Sequence, residues 1–246
     1  METNLSRPES VFAIDCVILG FDEGELKTLL VKRSEEPFKG YWTLPGCLVV
    51  DRYESIDDAA AHVLYSLTGL EGIYMEQFYT YADVDRHADG RVVSVAYYAM
   101  VRLGSARESQ LIASYTRNAA WVSVLGISGF AFDHTMLFEK VLKKVRRKVL
   151  YHPIAFELLP EKFTLTQLQN LYEVILNKKL DKRNFRKKVL HYQILKDLNE
   201  KQKDVSYRAA KLFKFDREKY TMMFESESLS YQPSPPIRQA QGMEKG

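Results

Sequence analysis

The spacing of apolar residues changes at about residue 150, and this change divides the chain into two parts that must fold differently. Before it, β-rich runs alternate with turns: VFAIDCVILGF at 11–21 and LKTLLVKR at 26–33 predict a hairpin across the turn DEGE. After it, TLTQLQNLYEVIL at 164–176 places apolar residues on one helical face. The pattern therefore predicts an α+β protein with a mixed sheet in front and a mainly helical rear.

Further elements of the front part are predicted from the same two patterns, the β-rich run and the helical spacing of apolar residues. They are a helix at 55–68, strands in YMEQFYTYADV at 74–84, RVVSVAYYAMVRL at 91–103 and AAWVSV at 119–124, and a linking helix at 133–150. The linking helix repeats apolar residues at helical spacing, as in Val141, Leu142 and Val145. We expect a mixed sheet flanked by helices.

The rear part has the layout of a winged helix-turn-helix. The helix at 164–176, with Thr164 or Thr166 as its N-cap, is followed by a basic helix in LDKRNFRKKVLHY at 180–192, with Asp181 as N-cap. QILKDL at 193–198 and AKLFKFD at 210–216 then predict a β-hairpin across a polar turn. We predict domains at 1–150 and 151–224, followed by a disordered polar tail at 225–246.

Charge is divided in the same way. Residues 1–139 hold 11 Lys and Arg against 20 Asp and Glu, whereas residues 140–224 hold 22 against 9. Such a basic rear part suggests contact with a polyanion, although a merely solvated basic surface gives the same count. No apolar run approaches the ~20 residues of a membrane helix, and the first ten residues lack the features of a secretion signal. We expect a cytoplasmic protein.

The stretch from Trp42 to Leu70 carries the frame of a catalytic motif. WTLPGC at 42–47 precedes Glu54, and Ala59, Ala60, Leu64, Gly69 and Leu70 then follow at fixed spacing. These residues resemble the Nudix family, whose box runs G-x5-E-x7-R-E-U-x-E-E-x-G-U. The resemblance covers most of residues 10–145 and implies a Nudix-like α/β/α sandwich with a mixed sheet.

The charged residues of that box are largely missing. In this alignment His62 stands at the arginine, Val63 at the first glutamate, and Ser66 and Leu67 at the glutamate pair that binds metal. Mg²⁺ needs hard oxygen ligands beside the scissile phosphate, and Ser and Leu cannot replace two carboxylates. We therefore expect no metal, no other cofactor and no hydrolase activity, with Asp57 and Asp58 serving the helix N-terminus instead.

The rear part is similar to the winged-helix segment of Nudix-related transcriptional regulators of the NrtR and AraR type. The segments that carry this similarity are FTLTQLQNLYEVILNKKLDKRNFRKKVL and RAAKLFKFD. The resemblance implies a homodimer that binds palindromic double-stranded operator DNA and is released by a small effector. FAIDCVILGF and DRHADGRVVSVAYYAMV resemble the sugar-responsive branch, so a pentose such as L-arabinose is the first expected effector, and ADP-ribose the second.

The residues themselves also favour DNA binding. Arg can pair with guanine and Asn with adenine, while Lys chiefly meets phosphate, and hydroxyl and amide groups at a helix N-terminus can bind phosphates. The expected DNA contacts are Thr164, Thr166, Gln167, Lys182, Arg183, Asn184, Arg186, Lys187, Lys203, Arg208 and Lys211.

The effector is expected beside the box helix, over the sheet. A sugar requires planar polar groups and an aromatic face, and a phosphorylated ligand requires cations. The expected effector contacts are Asp15, Lys32, Arg33, Trp42, Asp83, Asp85, Arg86 and Tyr97, with Tyr81 and His87 as further candidates. Each is also compatible with an ordinary ion pair or a half-buried core position.

Two other functions remain open at this stage. A hydrolase of a nucleoside diphosphate derivative with relocated acids would show Mg²⁺-dependent turnover. A protein whose basic part meets RNA would show salt-dependent binding without preference for a palindrome.

Overall fold

A computed structural model describes residues 11–22, 24–49, 55–84, 86, 90–103, 118–202 and 209–224. Its strands are β1 (Val11–Asp22), β2 (Glu25–Lys32), β3 (Trp42–Thr43), β4 (Gly46–Val49), β5 (Tyr74–Tyr81), β6 (Val92–Arg102), β7 (Ala119–Ser123), β8 (Leu195–Lys201) and β9 (Lys211–Phe215). Its α-helices are α1 (Ile56–Thr68), α2 (His134–Lys148), α3 (Leu165–Leu176), α4 (Lys182–His191) and α5 (Arg217–Phe224). A 3-10 helix at Pro153–Leu158 follows α2.

Strands β1 to β7 form one sheet in the order β3-β2-β1-β6-β5, with β4 paired to β1 and β7 paired to β2. β1 and β6 lie at its centre because both are almost continuously apolar: Ile14, Val17 and Tyr98 are fully buried. β4 runs antiparallel to β1 and sets Gly46 opposite Asp15. The hairpin, the sheet and every strand predicted for the front part are confirmed.

Helix α1 forms where the sequence predicts it, because both of its ends are capped locally. The Ser55 side chain accepts a hydrogen bond from Asp58 N at 3.1 Å, and Gly69 ends the helix in the left-handed conformation with φ 65°. The buried face holds Val63, Leu64 and Leu67, among others.

The rear helices and hairpin share a small core of their own. Phe163 is fully buried and forms an isolated β-bridge to Phe213 of β9. Leu168 and Leu171 of α3 are also fully buried, and β8 pairs with β9 antiparallel. These are the helix pair and hairpin that the spacing of apolar residues predicts.

Several details differ from the sequence-based expectation, beginning with the short strands β3 and β4, which were not predicted. β8 continues through Lys201 into the predicted turn, because a register irregularity between Asp197 and Lys201 lets the pairing resume. Helix α5 was not predicted, although Asp216 Oδ1 accepts from Lys219 N at 3.0 Å as an N-cap would. The 3-10 helix was not predicted either, and Pro153 at its first position is the local signal.

The chain divides into two compact units. The first takes in Met1–Ile18, Thr28–Ala99 and Gln110–Val141, and the second Leu19–Lys27, Met100–Ser109 and Leu142–Gly246. The domain boundary at residue 150 stays a prediction, and the disordered tail predicted at 225–246 lies outside the described residues. None of the described helices is long and apolar enough to cross a membrane.

Gly46 is required by the close approach of β4 to β1. A Cβ there would lie 2.3 Å from the Ile14 carbonyl oxygen and 3.0 Å from Asp15 Oδ1. We therefore expect Gly46→Ala to displace β4 and lower the free energy of unfolding by about 1–3 kcal/mol. Urea unfolding followed by tryptophan fluorescence reports on this unit, because both tryptophans, Trp42 and Trp121, lie in it.

Gly126→Ala is the matched control. A Cβ at Gly126 would meet only the Ser123 carbonyl oxygen, at an ordinary 3.7 Å. We expect a change within about 0.5 kcal/mol. Equal stability of the two variants would contradict the assigned role of Gly46.

Candidate DNA-binding and effector sites

Helices α3 and α4 are held together at two points. The rings of Tyr172 and Phe185 pack with their centroids 5.4 Å apart. Near the start of α3, Arg186 Nη2 donates to Thr166 Oγ1 at 3.1 Å. The two contacts fix the angle at which α4 leaves α3, which determines how a recognition helix is presented.

A half-buried carboxylate, that of Glu173, fixes the turn between these helices. Glu173 Oε1 accepts from Gln169 Nε2 at 2.9 Å and from Leu180 N at 3.1 Å, and Oε2 pairs with Lys179 Nζ at 3.0 Å. The hydrogen bond from Gln169, then the one from Leu180 N and the pairing with Lys179, lower the pKa of Glu173 to about 2. Neither the spacing of apolar residues nor the charge pattern indicated this residue.

The exposed face of α4 carries the residues expected to read DNA. Lys182, Arg183, Asn184 and Lys187 are exposed, and the Asp181 side chain caps the helix by accepting from Asn184 N at 2.8 Å. Arg186, which was also expected to contact DNA, has different surroundings. It is half-buried against α3, and its Nε is enclosed without a hydrogen-bond partner in the described structure.

The start of α3 is capped by residues that were expected to bind phosphate. Thr164 Oγ1 accepts from Gln167 N at 3.1 Å, and Gln167 Oε1 accepts from Thr164 N at 2.8 Å, which is a capping box. Thr164 is buried, so its hydroxyl is committed to the helix. Thr166 is exposed. Contacts from these residues to DNA stay a prediction. Thr166 is the better candidate for such a contact, because it is exposed and Thr164 is buried.

Three cations in or beside the hairpin are paired with carboxylates. Lys211 Nζ lies 3.0 Å from Asp197 Oδ2, and Lys162 Nζ lies 2.7 Å from Glu200 Oε2. Lys214 pairs with Glu161 in the same way. Lys203 and Arg208, the other expected contacts of the wing, lie outside the described residues.

In the first unit, Asp15 is the centre of a buried polar network. Its carboxylate accepts from Ser94 Oγ, lies 3.3 Å from His134 Nε2 and 3.6 Å from Arg86 Nη2. Burial by itself raises the pKa of the carboxyl, but the hydrogen bonds from His134 and Ser94 and the charge of Arg86 outweigh it and hold the pKa below its ordinary value. Asp15 and Arg86 were both expected at the effector site, and the structure brings them together.

The same network holds the first turn of α2. Arg86 pairs with Asp133 through two bonds, Nε to Oδ2 at 3.1 Å and Nη2 to Oδ1 at 2.9 Å. Leu44 N donates to His134 Nδ1 at 3.2 Å, which leaves Nε2 as the nitrogen that carries a proton toward Asp15. His134 thus begins the linking helix and also connects it to the sheet through Asp15 and Leu44.

The other expected effector residues have different surroundings. Tyr97 is buried and donates to Asp57 of α1, so its hydroxyl is occupied; burial first, and this hydrogen bond second, raise its pKa. The Arg33 guanidinium lies 4.8 Å from the centroid of the Phe132 ring. Trp42 is half-buried, and Lys32 and Asp83 are exposed. Asp85 and His87 lie outside the described residues.

Tyr81 is buried beside two cations. Its ring lies 5.9 Å from the Arg86 guanidinium and 5.3 Å from Lys140 Nζ, and its hydroxyl has no hydrogen-bond partner in the described structure. Asp133 and Ser94 were not singled out from the sequence. Their partners, Arg86 and Asp15, lie 47 and 79 residues away along the chain, so no local pattern marks them.

The box positions on α1 do not form a metal site. Val63 and Leu67 are buried, His62 is exposed, and Ser66 Oγ donates to the Val63 carbonyl at 3.0 Å. Within the described ranges there is no group of three or more His, Cys, Asp or Glu side chains that could hold a metal ion. Glu54 lies outside those ranges.

Comparison with known proteins finds relatives for both units. A model of the NrtR DNA-binding winged helix domain matches residues 155–215. The chain is 30% identical over 221 residues to the ADPR responsive transcriptional repressor NtrR of Acinetobacter baylyi, a match that covers 88% of this chain and 86% of that protein.

Two further relatives extend the comparison. The crystal structure of Shewanella oneidensis NrtR complexed with a 27mer DNA superposes with a TM-score of 0.74 at 30% identity, covering 85% of this chain and 95% of that one. An ADP-ribose pyrophosphatase of Methanocaldococcus jannaschii is 29% identical over 128 residues, or 52% of this chain and 70% of that protein. The predicted fold, a Nudix-like domain with a mixed sheet followed by a winged helix, is confirmed.

The lowered pKa of Glu173 gives a pH-dependent stability. Because the folded pKa of about 2 lies below the ordinary 4.5, the ionised carboxylate stabilises the fold above about pH 4.5 and loses that effect as the pH falls toward 2. We expect Glu173→Gln to be less stable than the wild type at neutral pH, with the difference shrinking below pH 4.5. Urea unfolding followed by circular dichroism across this range measures it.

Glu218→Gln is the control, because Glu218 is exposed in the first turn of α5 of the same unit. We expect its difference from the wild type to be much smaller at neutral pH. A Glu173→Gln difference that stays constant from pH 7 to 3 would contradict the role of the Glu173 carboxylate.

Proposed function

Because this chain belongs to the NrtR family of Nudix-related DNA-binding regulators, we propose that it represses transcription by binding operator DNA until ADP-ribose binds its Nudix-like unit. The observation that carries this proposal is the similarity to an ADPR responsive repressor across both units, at 30% identity over 88% of the chain. A match limited to the winged helix would have supported DNA binding without a particular effector.

DNA binding is assigned to the exposed face of α4. Arg183 and Lys187 are four residues apart and so lie on the same side of the helix, and Asn184 lies beside them. We assign Arg183 and Asn184 to base edges, and Lys182 and Lys187 to phosphates. Arg186 has a different role, because its bond to Thr166 makes it a residue that positions α4 against α3.

ADP-ribose is proposed in place of the pentose expected first from the sequence, which finds no support among the relatives. A purine base can stack on aromatic rings and a pyrophosphate can pair with cations. Arg33 beside Phe132, with exposed Phe38 whose ring centroid lies 4.9 Å from that of Phe132, offers both kinds of contact. Asp15, in β1, and Arg86, in the connection between β5 and β6, then support the site.

We propose that the Nudix-like unit senses and does not hydrolyse its ligand. Two of the acidic positions of the box are filled by Val63 and Leu67, which are buried on the apolar face of α1. Carboxylates there would lose hydration without gaining a partner. One observation supports the competing function, hydrolysis of a nucleoside diphosphate derivative. It is the 29% identity to an ADP-ribose pyrophosphatase over 128 residues.

A homodimer on a palindromic operator is part of the proposal. A helix-turn-helix dimer reads two half-sites that are related by its own two-fold symmetry. ADP-ribose would release the operator if it binds the DNA-incompetent arrangement of the dimer more tightly than the competent one.

The first experiment compares DNA from upstream of this protein's own gene with a scrambled duplex of equal length, by fluorescence anisotropy at physiological salt. We expect the native duplex to bind at least 100-fold more tightly, ADP-ribose to release it, and L-arabinose to have no effect. Equal, weak binding to both duplexes would contradict the proposal. Mg²⁺-dependent cleavage of ADP-ribose, lost in Glu54→Gln, would favour the hydrolase.

The roles within α4 are separated by two variants. Arg183→Ala is expected to cost ~1–3 kcal/mol on the native duplex and to relax sequence preference, because it removes a base contact. Lys187→Ala should weaken binding to both duplexes alike and lower the slope of log K against log salt by about one. Equal small effects from both variants would be incompatible with α4 as the recognition helix.

A further inference from the structure

The C-terminal half of α2 has a basic surface that is separate from α4, the helix assigned to the operator bases. Lys143, Lys144 and Arg147 are exposed. Val145 and Val149 of the same helix are buried. Residues 143 and 147, and residues 144 and 147, are four and three apart, so their side chains project from one side of the helix. We refer to Lys143, Lys144 and Arg147 as the α2 basic face.

This face belongs to the same compact unit as the winged helix, because that unit begins at Leu142. Within it, Arg146 Nε donates to the Ile175 carbonyl oxygen at 2.9 Å. Ile175 lies in the last turn of α3, so the C-terminal half of α2 is fixed directly to the helix-turn-helix.

Several cations near the hairpin and the turn have carboxylate partners, namely Lys162, Lys179, Lys211, Lys214 and Arg217. Other exposed cations there, such as Lys178 and Lys196, form no ion pair with a described residue. The α2 basic face also has no carboxylate partner among the described residues. The exposed cations of α4 assigned to DNA share this property.

Unpaired like charges three and four residues apart repel one another and disfavour the helix that carries them. Binding of a polyanion would remove this repulsion. A solvated surface patch with charges of both signs would have no such repulsion to remove. Since the partner of this unit is double-stranded DNA, its phosphates are the polyanion that fits the charge.

We infer that the α2 basic face is a second DNA-binding surface, which contacts operator phosphates without reading sequence. It adds affinity equally to every duplex, whereas α4 supplies the discrimination between duplexes. The inference rests on DNA binding by this chain, but it does not depend on the operator or on the effector.

The test removes two charges from this face in the double variant Lys143→Gln/Arg147→Gln. The control is Lys39→Gln/Arg91→Gln, which removes two exposed cations from the first unit and so changes the net charge equally. Circular dichroism of both variants is used to check that each keeps the wild-type fold. Binding to the native and the scrambled duplex is then titrated from low to physiological salt.

We expect the slope of log K against log salt to fall by about 1.8 for the test variant on both duplexes, since each phosphate contact contributes about 0.9. The control should keep the wild-type slope. Equal slopes for the two double variants would overturn the inference, and so would a loss confined to the native duplex. A wild type that does not prefer the native duplex overturns the proposed operator, while a reduced slope on both duplexes still supports the α2 basic face.

Discussion

The carboxylate of Asp15, buried in the central strand β1, is the interaction on which the first unit depends. An ionised group there is tolerated only because Ser94, His134 and Arg86 surround it with donors and positive charge. Through Arg86 and His134 the same carboxylate holds Asp133 and the start of α2. Loss of any one of the three would leave the buried charge less well compensated, so the sheet and the start of the linking helix are stabilised together.

The Nudix-like unit keeps a catalytic frame while its helix α1 has become an ordinary packing helix. Val63 and Leu67 stand at acidic positions of the box, and both are buried. Of the two acids in the first turn of the helix, Asp57 accepts a hydrogen bond from the Tyr97 hydroxyl. Apolar side chains at acidic positions of the box remove charge that would activate water, which supports the proposed role as a sensor.

In the second unit, the pairing of charges separates structural cations from those available to DNA. Lys179 stabilises the turn through Glu173, and Lys211 stabilises the wing through Asp197. The exposed cations of α4 and the α2 basic face have no such partners among the described residues. In the proposed complex, electrostatic attraction to DNA comes from two helices, and only α4 also presents groups that discriminate between bases.

The sequence by itself determined most of the helices and strands and the division of charge along the chain, because helix caps such as Ser55 and Asp181, alternation in strands and net charge are local or additive properties. It did not indicate β3, β4, α5 or the 3-10 helix. The tertiary structure alone decided which polar residues meet. Asp15 and Ser94 are 79 residues apart, and Arg186 and Thr166 are 20 apart. The sequence therefore gave no sign that Arg186 bonds to Thr166 or that Tyr97 bonds to Asp57. A side chain's partners depend on the folded path of the chain, which no short window of sequence contains.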